Sequence, residues 1–509
     1  MANKLLLGID YGTGGCKVTA IDETGAFAGE ASVEYRTWHD HPGWSEQDPA
    51  DWWTSLCAAL KKLAASGVDL KSVAACALDG STHNAVLLGE SGGTSLDPLL
   101  ADKSYRPVRR TIMWTDQRSV AECERLKAER GAEIFEKCYQ MPAPTWTLPQ
   151  MMWLKANEPE ALEKTRHVLF VKDYVRYLLT GEAATDRIEA EGTLFYNIAA
   201  GEWDRDLVEL AGLETGKLPR FIEPTDIAGR VSAAAAAETG LAEGTIVVCG
   251  SSDSAVEDYG AGAVEPGDLI IKLATAGNVN SMTAEAHPHP KTLTYSHIVP
   301  GMWYSVSATN AAALCMRWFR DSFYADCTDA GGAWKKIDEE ASASLVGAGG
   351  VFFHPYLQGE RCPYWDSDLR ASFTGVSISS TRGDFARALM EGVAFSLRDC
   401  YRTLEEMALP VKRIFLIGGG ARSRLWGEIV ANVFNCTVAV PEPGDASFGA
   451  ALLAGTGAGI FPGVKEAVAE CLKISRTISP DAAAAEKYAG LFVRYRAIHD
   501  ALAPVYSAR

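Results

Sequence analysis

The stretch LLLGIDYGTGGCKVTAID, residues 5–22, decides the fold. Leu5–Asp10 is a short apolar run ending in an acid, the pattern of a buried strand. Tyr11–Gly15 is glycine-rich and reads as a turn. Cys16–Asp22 reads as a second strand, closed by the Asp22-Glu23-Thr24-Gly25 turn, and GAFAGEASVEYRT (25–37) as a third. Pro49–Ala65 predicts a helix with Asp48 as N-cap and Pro49 at its first position. VAACALDG (73–80) predicts a further buried strand. The opening is therefore a three-stranded meander, a helix and a strand.

Outward from there, residues 118–213 read as mostly helical, interrupted by PTWTLPQMMWL (144–154). VSAAAAAETGL (231–241) predicts a helix ended by Gly240, and TIVVCGSSD (245–253) a buried strand running into a turn of small residues. GDLIIKLATAGNVNSMT (267–283) repeats the order of the opening: apolar strand, Gly/Thr turn, strand. That repeat predicts a second, similarly built domain, with domains over 1–256 and 257–509. The last third alternates: helix 384–407, strand VKRIFLIGGG (411–420), helix 423–434, strand TVAVPEP (437–443) and helix 446–454. Such alternation places the chain in the α/β class, with a mixed or parallel sheet covered by helices.

Composition narrows the function. Of 509 residues, 47% are hydrophobic and 22% charged, as in an ordinary globular protein. Lys and Arg number 48 against 65 Asp and Glu, a net charge of −17. That balance argues against nucleic acid or an anionic membrane as partner. The 12 cysteines contain no CxxC pair and read as small buried hydrophobes in a reducing compartment. The opening residues lack a signal-peptide pattern, and no apolar run is long enough for a membrane span; the expectation is a cytoplasmic protein.

Four turns carry candidate chemistry. Gly12, Gly14 and Gly15 would turn backbone N–H groups into one concavity, a nest for phosphate, with Thr13 and Lys17 as further donors and Asp10 placed for Mg²⁺. No Walker P-loop occurs anywhere in the chain. Thr275 and Gly277 lie in a matching second turn, which reads equally as a plain hairpin. Gly418–Ala421 follows a strand and precedes a helix, but Ser423 breaks the dinucleotide fingerprint. Asp253 follows a strand, where open α/β sheets place their sites. It reads as a general base for a hydroxyl or as the cap of a helix starting at Ser254. Polar groups for a substrate lie in Asp79-Gly80-Ser81-Thr82-His83-Asn84, again at a strand end, and in Trp114-Thr115-Asp116-Gln117-Arg118. His39-Asp40-His41 and His287-Pro288-His289 lack a third ligand and are not read as metal sites.

Together these segments resemble the FGGY family of carbohydrate kinases, from Leu5 to about Gly455. PGWSEQDPADWW (42–53), YLQGERCPYWDSDLRASFTGV (356–376) and GGGARSRLWGEIVANVFNCTV (418–438) are similar to family segments. The resemblance implies two actin-like, ribonuclease-H-like domains with a central cleft, and ATP, Mg²⁺ and a small sugar as ligands. It implies Asp253 as catalytic base and Asp10 on the Mg²⁺ side. Gly12, Thr13, Gly14, Lys17, Thr275, Gly277, Gly419, Gly420 and Arg424 would be on the nucleotide side. Thr82, His83, Asp116 and Ser254, with Asp253, would be on the sugar side. Homodimers are frequent in the family and are the expected assembly.

The chain also departs from the family pattern. Cys16 stands where a hydroxyl is common, Ala274 and Ala276 stand where Gly and Ser are common, and Ser254 replaces an amide. Gln150 takes the place of a Lys. GSTHN (80–84) is similar to the GQMHG of xylulokinases and shares its histidine. The leading expectation is phosphorylation of D-xylulose to D-xylulose 5-phosphate. Ribulose, erythritol or another polyol, and gluconate are the alternatives, followed by a non-catalytic sugar-binding homologue.

Overall fold

The computed structural model describes residues 4–90, 105–325, 327, 330–409 and 411–507. The chain forms two compact units. The first holds Met1–Gly262 with two returning segments, Tyr295–Met302 and Pro443–Leu472. The second holds Ala263–Thr294, Trp303–Glu442 and Lys473–Arg509.

The first unit is built on a six-stranded sheet. Its order is Ile227–Arg230, Ile246–Ser252, Val73–Gly80, Leu5–Tyr11, Gly15–Asp22, Phe27–Glu34. The last three strands are the expected meander. Leu5–Tyr11, Val73–Gly80 and Ile246–Ser252 run parallel, so their C-terminal ends lie side by side. In that register Asp10 is opposite Asp79, and Asp79 opposite Ser251. The helix Pro49–Ala65 begins as expected: the Asp48 side chain accepts from Ala50 N at 3.0 Å, and Pro49 takes the first helical position. It buries Trp52, Trp53, Leu56 and Leu60 in the core of the unit.

On the other face, helix Ala446–Gly457 lies against Leu5–Tyr11 so closely that glycine is required at residue 8. A Cβ on Gly8 would stand 1.7 Å from the Ser447 carbonyl oxygen.

The middle of this unit departs from the expected helical run. Helices Val120–Cys138, Thr147–Asn157, Pro159–Lys164 and Val171–Thr180 are present. Between the last two, however, Thr165–Phe170 is a strand. It pairs with Ala85–Glu90, also unexpected, in a three-stranded sheet completed by Tyr105–Pro107. Both runs are six residues long, and apolar runs that short do not separate strand from helix by periodicity.

The second unit repeats the opening of the first. Asp268–Leu273 pairs antiparallel with Gly277–Thr283 and parallel with Arg413–Ile417, as Leu5–Tyr11 does with its two neighbours. The whole sheet has seven strands, ordered Leu293–Ser296, Trp303–Thr309, Gly277–Thr283, Asp268–Leu273, Arg413–Ile417, Val438–Pro441, Ile474–Ile478. Helix Arg382–Glu406 starts two residues before the expected position. Thr381 and Asp384 form a reciprocal capping box there. The C-terminal helix Ala482–Tyr506, not expected from the sequence, contributes Tyr488 and Tyr495 to the core of this unit. Among the described residues no helix is long and apolar enough to cross a membrane.

The contact at Gly8 gives a direct test of this packing. Gly8→Ala is expected to lower the thermal midpoint by more than about 5 °C or to abolish soluble expression, because the obstructing atom is helix backbone and cannot rotate away. Unchanged melting would contradict the packing.

Candidate active site

Three carboxylates stand at the C-terminal ends of the three parallel strands of the first unit. Asp10 and Asp79 each precede the last residue of their strand. Asp253 follows Ser252 and opens the helix Asp253–Gly260. Ser252 occupies the N-cap position, so the alternative reading of Asp253 as a cap does not hold. Its carboxylate instead accepts from Ser254 N at 2.7 Å and from Thr82 Oγ1 at 3.1 Å. Two expected substrate-side residues, Thr82 and Ser254, therefore hold the expected base.

Asp10 and Asp79 face each other across the two strands. Burial pushes the Asp10 carboxyl up to about 7, against the lowering effect of its bond to Asp79 and with the help of Asp253, Asp445 and Glu257. Asp79 is fully buried, and burial followed by Asp10 pushes it well above the usual carboxylate range. Among the described residues no donor other than the Asp10 carboxyl reaches either Asp79 oxygen. Among the described residues no group of three or more His, Cys, Asp or Glu forms a metal cage. A hard cation that takes one or two carboxylates and fills its shell with phosphate and water oxygens fits the pair.

The first turn differs from the nest read in the sequence. None of Gly12, Gly14 and Gly15 has positive φ. The Gly12 N–H donates to the Gly15 carbonyl at 3.1 Å, and the Gly12 carbonyl accepts from the Tyr35 hydroxyl. The Thr13 carbonyl accepts from Gln47 Nε2 at 2.8 Å, which ties the turn down from behind. At residue 14 a Cβ would meet nothing within 4 Å, so the turn is open on that side. Cys16 points into the core. Lys17 is not a free cation, for its ammonium lies 2.8 Å from Asp445 and 3.1 Å from Glu30.

His83 is held from three sides. Its N–H donates to Glu189 Oε1 at 2.5 Å, its carbonyl accepts from Thr147 Oγ1 at 2.6 Å, and Nε2 lies 3.0 Å from the Thr145 carbonyl. These bonds fix a left-handed backbone, φ 56°, at a residue other than glycine. A carbonyl only accepts, so Nε2 carries the hydrogen and Nδ1 presents a lone pair. Burial pushes the ring down to about 3, so it is neutral near pH 7. Among the described residues Nδ1 has no partner, and a Cβ on Gly192 would stand 2.8 Å from it.

Asp116 has a different role from the one expected. It is fully buried and its oxygens accept from Ser45 N, from Arg118 N and from the Arg118 guanidinium. Both of its oxygens are taken up in building the loop.

Glu189 and Glu191 went unnoticed in the sequence because DRIEAEG (186–192) looks like the solvated face of a short helix. Both are buried, and Glu191 accepts from Ser296 N at 2.7 Å and Ser296 Oγ at 2.5 Å. A signal was present: three acids, Asp186, Glu189 and Glu191, within six residues.

In the second unit, Thr275 sits in the expected turn, and its hydroxyl accepts from Arg317 Nη2 at 2.8 Å. Arg317 supplies there the cation that the first turn lacks, and nothing in its local sequence marks it. Glycine at 277 and 420 answers to packing. A Cβ on Gly277 would stand 2.9 Å from Leu397 and Thr309, and one on Gly420 2.7 Å from Leu273. Gly419 has open space on its Cα. The Arg424 guanidinium, expected beside the nucleotide, pairs with Glu428 at 2.9 Å on an exposed helix face.

Residues 5–260 match the N-terminal domain of the FGGY family of carbohydrate kinases, and residues 275–458 its C-terminal domain. The chain belongs to the FGGY family of carbohydrate kinases. It is a sugar kinase, and its family makes ATP the phosphate donor. It is 31% identical to a xylulose kinase of Bacillus subtilis over 500 residues, 97% of each chain. A gluconokinase of the same organism is 26% identical over 457 residues, 88% of this chain and 86% of that one. A crystal structure described as a xyloylose kinase from Brucella ovis superposes with a TM-score of 0.87 at 32% identity, over 98% of this chain and 100% of the other.

The crowded pair gives the kinase a distinctive pH dependence. A carboxyl whose folded pKa is raised binds a proton that the unfolded chain releases. Stability is therefore lost as pH climbs from the unfolded value, about 4, through about 7. Asp79→Asn removes one member of the pair and supplies an amide donor to Asp10. Its thermal midpoint is expected to exceed that of the parent by about 2–4 °C at pH 8 and by less at pH 5. An equal loss at both pH values would contradict the crowding.

Proposed function

We propose that this kinase transfers the γ-phosphoryl group of ATP to a neutral ketopentose, first D-xylulose, giving D-xylulose 5-phosphate. The observation that carries the reading is the arrangement around Asp253. A carboxylate oriented by Thr82 and Ser254 N at a helix start lies in the same unit as a neutral histidine with a free lone pair. Such a set accepts hydroxyl protons and hydroxyl hydrogen bonds, and offers no cation to a sugar acid.

Asp253 takes the proton of the attacking hydroxyl as its oxygen bonds to the γ-phosphorus. His83 Nδ1 accepts from a second sugar hydroxyl. Thr13 and the open face of Gly14 lie on the phosphate side of the first unit, with Thr275, Arg317 and Gly419 on that of the second. Asp10, with Asp79 beside it, would hold Mg²⁺, which when bound neutralises phosphate charge. The reaction needs in-line positioning more than covalent help, which suits a site of fixed donors and acceptors.

Gluconate is the second reading, since a gluconokinase is among the relatives. The charge of the first unit disfavours it. Asp10, Asp253, Glu189 and Glu191 are acids, while the buried cations Lys172 and Arg176 are spent on Asp173 and Asp186. A homodimer is the assembly we expect. We place the enzyme in the cytoplasm, consistent with its 12 free cysteines.

The experiment is ADP release with Mg²⁺-ATP and D-xylulose, L-xylulose, D- and L-ribulose, erythritol, glycerol or gluconate. Highest kcat/KM on D-xylulose is expected. Preference for gluconate would overturn the electrostatic reading, and preference for another neutral compound the choice of sugar. Asp253→Asn should keep ATP affinity within a few-fold and lose at least about 10²-fold in turnover.

A further inference from the structure

Deep in the first unit, four charged side chains form a closed cluster. Lys172 Nζ lies 2.6 Å from Asp173 Oδ1 and 2.8 Å from Asp186 Oδ2, and Arg176 Nη2 lies 2.9 Å from Asp173 Oδ1. All four side chains are fully buried. Two positive and two negative charges balance. Buried ion pairs of this kind add little stability over a well-packed apolar replacement, and breaking one is costly. Stability alone is therefore a weak reason for the cluster, and its contacts suggest another.

The strand that delivers Asp253 is irregular. Val248 pairs with Ala77 and Ser251 with Asp79, so Ile246–Ser252 carries one residue more than its neighbour between those points. The extra residue makes a bulge around Gly250, which has φ 71°, and a Cβ there would stand 1.7 Å from the Leu78 carbonyl oxygen. A one-residue slip turns every later side chain to the opposite face of the sheet. The bulge thus sets the direction of Ser251, Ser252 and Asp253.

The ion cluster grips that bulge on both sides. Arg176 Nη1 donates to the Cys249 carbonyl at 2.6 Å, one residue before Gly250. Ser251 Oγ donates to Asp186 Oδ1 at 2.7 Å, one residue after it. The same Asp186 oxygen caps the helix Arg187–Glu191, accepting from Ile188 N and Glu189 N, and Glu189 holds the His83 N–H. One buried carboxylate therefore reaches both the strand that carries the base and the loop that carries the sugar-side histidine.

We propose that Arg176 and Asp186 are positioning residues that clamp the Gly250 bulge and so aim Asp253 at the attacking hydroxyl. The inference rests on Asp253 being the base. Ser251→Ala tests it most gently, because it removes one link and leaves the buried charges balanced. The expected result is a native circular dichroism spectrum, KM for ATP within about twofold, and kcat lower by about tenfold, since small misplacement of a reacting group costs one to two orders of magnitude. Added to Asp253→Asn, whose residual turnover is read by radiometric single turnover, Ser251→Ala should cost less than about twofold, because the group it aims is already gone. Arg176→Lys keeps the charge, loses the guanidinium fork to Cys249, and should behave alike; it decides the matter if Ser251→Ala does not fold, as kcat alone does if residual turnover is undetectable. A Ser251→Ala kcat within about twofold of the parent would overturn the proposal, and so would an equal tenfold loss in the Asp253→Asn background. If Asp253→Asn itself turned over at nearly the parental rate, the base reading would fail and this inference with it. An inactive Asp253→Asn beside a fully active Ser251→Ala rejects the inference alone.

Discussion

Like charges held close together at adjacent strand ends are the constraint on which the first unit turns. A parallel register puts Asp10 beside Asp79 and brings Asp253 to the end of the next strand. Left to themselves, carboxylates this close and this dry would move apart or take up protons. Here the sheet forbids the first, so protonation answers: the Asp10 carboxyl rises to about 7 and that of Asp79 well above its usual range. The surroundings are arranged to tolerate the crowding. Backbone N–H at a helix start meets Asp253, while Lys17 is drawn to Asp445 and Glu30. A site kept in this state has a strong appetite for a divalent cation or a proton from substrate, and phosphoryl transfer to a hydroxyl uses both.

Much of this was legible in the sequence, for local reasons. The opening hairpin, the Asp48 cap and the second hairpin at Asp268–Thr283 follow from short-range patterns of apolar residues, turns and caps. Asp10 and Asp253 were visible because each ends an apolar strand pattern, where open α/β sheets place their sites, although the sequence alone left Asp253 readable as a helix cap. What escaped notice depends on distance along the chain. Lys17 finds its carboxylate 428 residues away. The bulge at Gly250 exists only relative to the neighbouring strand, and Arg317 reaches Thr275 from a separate helix. Asp116 misled for the opposite reason: a polar cluster in a loop looks like a site, but burial turns it into scaffolding. The strand Thr165–Phe170 was hidden among helices because its identity comes from pairing with Ala85–Glu90.

The glycines divide in the same way. Those at 12, 14 and 15 and at 277, 419 and 420 look alike in sequence and suggest phosphate turns. In the structure, residues 14 and 419 leave open space, whereas 277 and 420 make room for neighbouring side chains. Only the first kind offers a ligand somewhere to go. A glycine-rich motif therefore marks a close approach, and the folded chain decides whether the approaching group is a ligand or its own core.

Central to the mechanism is that the crowded acids of the first unit receive a metal. Mn²⁺ binding in the presence of a non-hydrolysable ATP analogue, followed by electron paramagnetic resonance, measures this without turnover. One tightly bound Mn²⁺ per chain is expected, with affinity at least about tenfold weaker in Asp10→Asn, from the loss of a carboxylate beside a bound cation. Equal Mn²⁺ affinity in the parent and in Asp10→Asn would contradict it.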